Sequence, residues 1–366
     1  MKIVQIDVHQ VNLPMTKTIC LSGGRYYKSL DSTIVGITTN DGITGWGESC
    51  PYGANYLPGY AQGVRCGINE LAPHLLKKNP VHIEYLNDLM DRELIGHYYL
   101  KSAIDMALWD ILGKASTLPV CELMGGRWGD GTDVQVAISV DAPETMIRTI
   151  AAWREGGIHK FSVKLSGEPK VDEDCIRQIM AAAHPMDDYV FDANKGYTVA
   201  NALRAMQNVR DLDFLLEQPC ATYEECRAVH RKVLQPMVLD ECIDSLKILL
   251  RVIADRSAEA VNIKISKVGG LTKARKIRDL CADAGILVCL QDTGGSDIAK
   301  AAITHLAHST PDTIRHSLWD CKDAIEIETA RGVGEIIDGK LSAPIKPGLG
   351  ISINKSAIGK PVAVYK

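Results

Sequence analysis

Residues 258–270 read AEAVNIKISKVGG. The first eight have the aliphatic and β-branched character of a buried strand. Lys264 nevertheless lies inside that run, and a lysine in a buried strand is costly unless its charge is paired or its proton is used. The Gly269–Gly270 pair then opens into LTKARKIRDLCADAG, a helical stretch. One strand, one polar residue at its end and one helix make a unit, and the unit recurs along the chain.

Upstream of it, VQVAISV (134–140), FSVKL (161–165), YVFDAN (189–194), FLLEQP (214–219) and PMVLDE (236–241) are each followed by a helical stretch. Downstream, ILVCLQD (286–292) precedes a helix and RHSLW (315–319) ends the series. Such alternation predicts a parallel sheet. Eight strand candidates with seven following helices predict a (β/α)7-8 barrel of the TIM type, with its active site at the C-terminal ends of the strands. A doubly wound open sheet is the rival architecture, but no Gly-x-Gly-x-x-Gly turn follows any strand.

Residues 1–50 read as antiparallel strands, with Asn40-Asp41-Gly42 as a hairpin turn signal. Residues 60–115 read as helical, and Ile104, Leu108, Ile111 and Leu112 are expected on one face of a helix over 100–116. The expected organisation is α/β: an α+β capping domain at 1–128, the barrel at 129–320, and a Gly/Pro-punctuated segment at 321–366 returning to the cap.

The chain has 366 residues, 46% apolar and 23% charged, with net charge −4 and no basic stripe. That composition suits a globular protein and argues against nucleic acid as a partner. No apolar stretch approaches the roughly 20 residues that cross a bilayer, so no membrane association is expected. The first ten residues read as a strand and not as a leader peptide. Eleven cysteines without a Cys-x-x-Cys pair are expected to be free thiols in a reducing cytoplasm.

Most strand candidates end on one ionisable residue: Lys164, Asp192, Glu217, Asp240, Lys264 and Asp292. They recur at intervals of one βα unit, so a barrel sets them side by side around its mouth. Any one of the acids alone reads as a turn or cap residue. Three carboxylates in register, Asp192, Glu217 and Asp240, instead predict a site for a divalent cation, and hard oxygen ligands favour Mg2+. Asn194 is expected on the same side as Asp192, as a substrate or supporting contact. A lysine on each side of such a site predicts proton transfer at the carbon next to a carboxylate, where a metal stabilises the developing enediolate. Lys164 and Lys264 are expected to face opposite sides of that carbon, with pKa values lowered by burial and the nearby cation. Lys267 lies beyond the strand and is expected to keep a solvated head.

At these residues the chain resembles the enolase superfamily, muconate-lactonizing-enzyme subgroup. KSAIDMALWDILGK with LPVCELMGG resembles the family's signature helix; FDAN, LLEQP and VLDE resemble its metal-bearing strands; IKISKVGG resembles its sixth-strand lysine motif. The resemblance implies Asp192, Glu217 and Asp240 as Mg2+ ligands and Lys264 as a catalytic lysine. One departure is Ser162-Val163-Lys164 where the family usually carries Lys-x-Lys; the base-bearing lysine is kept. Asp292 stands without a histidine, which argues against a His/Asp dyad. The chain is most similar to the hydroxyproline-betaine epimerases and the cis-3-hydroxyproline dehydratases, including over residues 50–76.

The resemblance implies an isomerase or lyase that acts on an amino acid or proline-type carboxylate, and a homo-oligomer. The leading expectation is racemisation or epimerisation by two-lysine 1,1-proton transfer. Dehydration by β-elimination needs the same residues, and cycloisomerisation or a non-catalytic binding role fits less well. Loops near 16–30 and 50–60 are expected to close over the mouth. Tyr56 on the cap and Trp319 at the end of the last strand are the expected aromatic contacts, and Asp292 the expected anion, for an ammonium group.

Overall fold

The computed structural model describes residues 1–366. Strands β1 (Ile3–Leu21), β2 (Arg25–Thr39) and β3 (Thr44–Ser49) form an antiparallel meander, with Val8 opposite Val35 and Gly36 opposite Trp46. Residues 16–30 are not a loop. They are the far half of the β1–β2 hairpin, where pairing resumes after a break between Pro14 and Ile19 and the chain turns at Ser22–Gly24. Gly23 and Gly24 both take φ of +70°, which a glycine adopts without strain.

Helices α1 (Ala61–Leu75), α2 (Ile83–Glu93), α3 (Tyr98–Ser116) and α4 (Val120–Leu123) complete the cap. Ile104, Leu108 and Ile111, expected on one face of α3, are buried, and so is every other residue from Tyr99 to Ile111. On one side β3 presses against it so closely that a Cβ at Gly45 or Gly47 would meet the main chain of Ala107 or Ala103. On the other side the barrel reaches it: Thr272 donates to Asp105 from its hydroxyl (2.6 Å) and its amide (3.0 Å), and Trp109 Nε1 donates to the same hydroxyl (2.8 Å). Asp105 and Asp110 are therefore buried with partners and not turned to solvent.

Eight parallel strands follow: β4 (Thr132–Ile138), β5 (Lys160–Lys164), β6 (Asp188–Asp192), β7 (Leu215–Glu217), β8 (Met237–Leu239), β9 (Ala260–Lys264), β10 (Leu287–Gln291) and β11 (Arg315–Trp319). Each pairs with the next, and β11 pairs back onto β4 through Leu318 opposite Val134, which closes the barrel. The helices between them are α5 (Pro143–Glu155), α6 (Pro169–Ala181), α7 (Val199–Gln207), α8 (Tyr223–His230), α9 (Leu246–Asp255), α10 (Ile265–Val268), α11 (Leu271–Ala284) and α12 (Asp297–His308). Inside the barrel, Val190, Val238 and Ala260 make a small apolar floor. Side chains alternate along a strand, so the residues two and four places further on point up the same interior toward the mouth.

The chain ends with β12 (Ala330–Arg331), β13 (Lys340–Leu341), β14 (Ser352–Ile353), α13 (Lys355–Ile358) and β15 (Ala363–Tyr365). Strand β13 pairs with β4, and β15 pairs with β1 through Tyr365 opposite Ile6. Ninety-five buried apolar residues form one continuous cluster through cap and barrel, so the two pack as a single body. No helix is long and apolar enough to cross a membrane. All eleven cysteines are free thiols; Cys66 is exposed, Cys20 and Cys242 are half-buried and the rest are buried.

Candidate active site

Backbone register builds the site. Lys164 lies opposite Asp192, and Asp192 opposite Glu217, at the ends of β5, β6 and β7. Asp240 follows β8 directly and Lys264 ends β9. Strands β5 and β9 stand four steps apart in an eight-membered ring, so the two lysines enter from opposite walls. A cavity with about 600 Å3 of open space, including its mouth, is lined by Lys164, Glu217, Asp240, Lys264, Asp292 and Trp319. Asn194 and Tyr56 line it too. Asp192 is fully buried at its edge, in contact with Lys164 and Asn194.

Lys164 Nζ donates to Asp192 Oδ2 (2.5 Å) and to Ser162 Oγ (3.1 Å). Period two explains the second contact, since residue 162 shares the inner face with 164. A lysine at position 162 would set a like charge beside Lys164; the serine gives it an acceptor. Lys264 Nζ donates to Asp240 Oδ2 (2.5 Å) and to Tyr56 OH (2.7 Å). Lys267 does not have a solvated head. It is 3% exposed and donates to the Asp240 carbonyl and to Asp240 Oδ1 (3.0 Å), because the one-turn helix α10 folds it back under β8.

The expected lowering of the lysine pKa values includes the charge of a cation; within the protein chain alone the carboxylates act against burial. Burial pushes Lys164 down, but Asp192 and Glu217 more than offset it, and its pKa rises. Burial acts likewise on Lys264, and Asp240 with Tyr56 and Glu241 raises it well above the ordinary value. Burial would raise Asp240, yet Lys264 and Lys267 hold it well below the usual carboxylate range. Glu217 goes the other way, lifted by burial and by Asp192. Glu241 is lifted to about 7 by burial and by Asp240.

Glu241 is a residue that strand reading missed. It follows Asp240 just after β8 has ended, where alternation no longer sorts side chains to opposite faces. Its Oε2 is buried without a partner, as is Asn194 Oδ1, although Asn194 Nδ2 donates to Asp192 Oδ2 (2.7 Å) and reaches Glu241 Oε1 (3.4 Å). Asn262 was also missed; it shares the inner face with Lys264 and donates to Glu217 Oε1 (2.6 Å). Buried carboxylates beside unpaired oxygens, all hard donors, fit a small divalent cation. They are not drawn tightly together, and the chain's one cluster with ligand atoms within 4.8 Å of one another is His159, His184 and Asp187 at the other end of the barrel. There Arg154 Nη2 (2.5 Å), His184 N (3.0 Å) and Tyr189 OH (2.9 Å) already donate to Asp187 Oδ2, and His159 Nδ1 lies 3.0 Å from Oδ1. That carboxylate is saturated with donors, and the cluster is an ion-pair network.

Asp292 is fully buried, and Ser266 Oγ (2.8 Å) and Thr293 N (2.7 Å) donate to it; burial nevertheless lifts it to about 6. Trp319 Nε1 lacks a partner at the cavity wall. Tyr56 is not a surface residue but is 7% exposed. Its ring carries three of the protein's own cations, with Lys264 Nζ 5.1 Å, Lys195 Nζ 5.7 Å and Arg25 Cζ 5.8 Å from the centroid.

A closed eight-stranded barrel with an antiparallel cap, three carboxylates on successive strands and a lysine on either wall defines an enzyme of the enolase class. Residues 8–125 match the mandelate racemase/muconate lactonizing enzyme N-terminal domain, and residues 145–357 match the enolase C-terminal domain-like family. The chain belongs to the mandelate racemase/muconate lactonizing enzyme family of the enolase superfamily. It is 43% identical to a cis-3-hydroxy-L-proline dehydratase of Roseibium aggregatum over all of both chains. It is 28% identical to an N-succinyl-L-Arg/Lys racemase of Bacillus cereus, covering 98% of this chain and 97% of the other. A mandelate racemase/muconate lactonizing enzyme of Roseovarius nubinhibens ISM, solved with magnesium, superposes with a TM-score of 0.97 at 38% identity over all of both chains.

Proposed function

We propose that the protein is a Mg2+-dependent dehydratase of cis-3-hydroxy-L-proline, working by removal of the proton α to a carboxylate. The observation that carries this reading is the placement of Lys164 and Lys264 on opposite walls of one cavity. In the cis isomer the hydroxyl and the carboxylate share a ring face, so the α-hydrogen lies on the opposite face from the hydroxyl. Elimination of water from it is anti, and requires a base on one face and an acid on the other. The trans isomer would require both groups on the same face. The full-length likeness to a cis-3-hydroxy-L-proline dehydratase supports the same choice.

Asp192, Glu217 and Asp240 would hold the cation, with Asn262, Asn194 and Lys267 fixing their carboxylates. A bound Mg2+ would supply charge compensation for the substrate carboxylate as the α-proton leaves. With the charge of the carboxylates taken up by the cation, one lysine would stand as its neutral amine and accept the α-proton. The ammonium of the other donates to the departing hydroxyl, so that the C–H and C–O bonds break, a C2=C3 double bond forms and water leaves. The enamine product tautomerises to a pyrroline carboxylate. Trp319 and Asp292, which line the cavity, would meet the ring ammonium.

The test is proton NMR of the protein with Mg2+ and each 3-hydroxyproline isomer. Pyrroline formation from the cis isomer and not from the trans isomer is expected. Turnover of the trans isomer alone, or of neither, would refute the assignment. A second reading, epimerisation at Cα, draws on the same pair of lysines; inversion with solvent deuterium and without loss of water would select it.

A further inference from the structure

The turn after β6 does more than lead away from Asp192. Asn194 (φ +42°) and Lys195 (φ +67°) both take left-handed backbone, pinned by Lys195 N donating to Gln218 O (2.9 Å) and Gly196 N to Ala193 O (2.7 Å). Two consecutive non-glycine residues in that region persist only where the surroundings over-determine them. Both segments of the cap that overhang the cavity are fastened here. Arg25, at the tip of the β1–β2 hairpin, donates from Nη2 to the Asn194 carbonyl (2.9 Å) and from Nε to the Ser22 carbonyl (3.0 Å). Lys195 Nζ donates to the carbonyl of Tyr56 (2.9 Å), in the segment between β3 and α1. Gly196 leaves space for the hairpin, since a Cβ there would collide with Ser22 Oγ.

Tyr56 is held from both ends. Its carbonyl is fixed by Lys195, and its hydroxyl accepts from Lys264 Nζ (2.7 Å). We infer that the Asn194–Lys195 turn is a latch for the cap, and that Lys195 is a positioning residue for Lys264 acting through Tyr56. A lysine head has freely rotating donors on a flexible stem. With Tyr56 in place, one of its hydrogens is spent on the phenol and one on Asp240 Oδ2, which aims the remaining position into the cavity. With Tyr56 displaced, only Asp240 constrains the head. The latch also explains why a cationic residue follows Asn194 in a turn that a glycine would enter without strain.

The consequence for turnover rests on the proton-transfer reading, so the experiment has two arms. In the first, amide hydrogen exchange of the full-length protein is compared between wild type, Lys195→Met and Lys195→Arg. Exchange over residues 50–58 is expected to speed up about tenfold in Lys195→Met and to return toward wild type in Lys195→Arg, with β1–β3 unchanged. Equal exchange over 50–58 in wild type and Lys195→Met overturns the latch whatever the reaction proves to be. In the second, turnover is measured in a cycle of Lys195→Met, Tyr56→Phe and the double variant. Lys195→Met is expected to lower kcat about tenfold with a smaller change in KM, and the double variant to be no worse than Tyr56→Phe alone. Additive losses would show that Lys195 does not act through Tyr56. Absence of turnover in the wild-type protein would overturn the proposed reaction and leave the exchange result as the arbiter of the latch.

Discussion

Strand β6 begins with Asp188 and ends with Asp192, and the same residue type serves two different ends of the barrel. At the floor, Lys160 Nζ (3.1 Å) and His316 Nε2 (2.8 Å) flank Asp188. Burial would raise Asp188, but His316 and Lys160 pull it to about 2. Its neighbour Asp187 is drawn to about 2 as well, burial being outweighed by Arg154 and His159. At the mouth, Lys164 pairs with Asp192 and Lys264 and Lys267 with Asp240, while Asn194 Oδ1, Glu241 Oε2 and Trp319 Nε1 are left without partners. The floor is an ion-pair network saturated with donors, whereas the mouth brings its carboxylates and lysines onto the walls of one cavity.

The largest expected effect separates the two ends outright. Lys164→Ala and Lys264→Ala should each lower kcat by about 10²–10⁴-fold, the usual weight of a general acid or base. Asp188→Asn at the floor should leave kcat within about twofold. Steady-state rates with circular dichroism as a check on folding decide it, and a floor variant as inactive as the lysine variants would break the comparison.

Next in size is the response to magnesium. Saturating Mg2+ should stabilise the wild-type protein by about 2.7 kcal/mol at a hundredfold excess over its Kd. Glu217→Gln should remove most of that gain, whereas Asp187→Asn should keep it. Thermal melts with and without chelator report the difference.

The two ends should also show pH dependence of opposite sign. Asp187 is depressed in the folded state, so its contribution is present above about pH 4 and is lost as pH falls toward 2. Asp187→Asn should cost about 1–2 kcal/mol at pH 7 and little at pH 2.5. Asp292 is raised to about 6 by burial, so the folded state holds its proton longer than the unfolded chain. The stability difference between wild type and Asp292→Asn should therefore fall as pH climbs from 4 to 6, by about 2–3 kcal/mol at most. Urea unfolding at intervals between pH 2.5 and 8 tests both, and slopes of the same sign would contradict the contrast. The smallest effect is expected at Trp319, where Trp319→Phe should raise KM roughly threefold with kcat little changed, consistent with about 0.6 kcal/mol of contact energy.

The barrel and its ring of strand-end residues were legible because one strong rule governs both. Short apolar runs alternating with helices give the parallel sheet, and the last inward residue of each strand meets the mouth. Lys267 escaped because α10 interrupts the rule, turning a residue past the strand back under Asp240. Glu241 escaped for a related reason, since β8 stops at Leu239. Asn262 could have been found by counting two back from Lys264. For α3, periodicity picked out one buried face and could not show that β3 and the barrel between them cover the rest. Arg25 and Lys195 were out of reach, since their roles exist only in contacts between segments far apart in the chain.

The central claim is a division of labour between two amines on opposite faces of one ring, one serving the α-hydrogen and the other the hydroxyl. The direct measurement follows cis-3-hydroxy-L-proline in D2O with Mg2+ and each of the two single variants, Lys164→Ala and Lys264→Ala. The account predicts that one variant still exchanges the α-hydrogen without releasing water, because its base remains and its acid is gone, while the other does neither. Two variants that behave alike would contradict it.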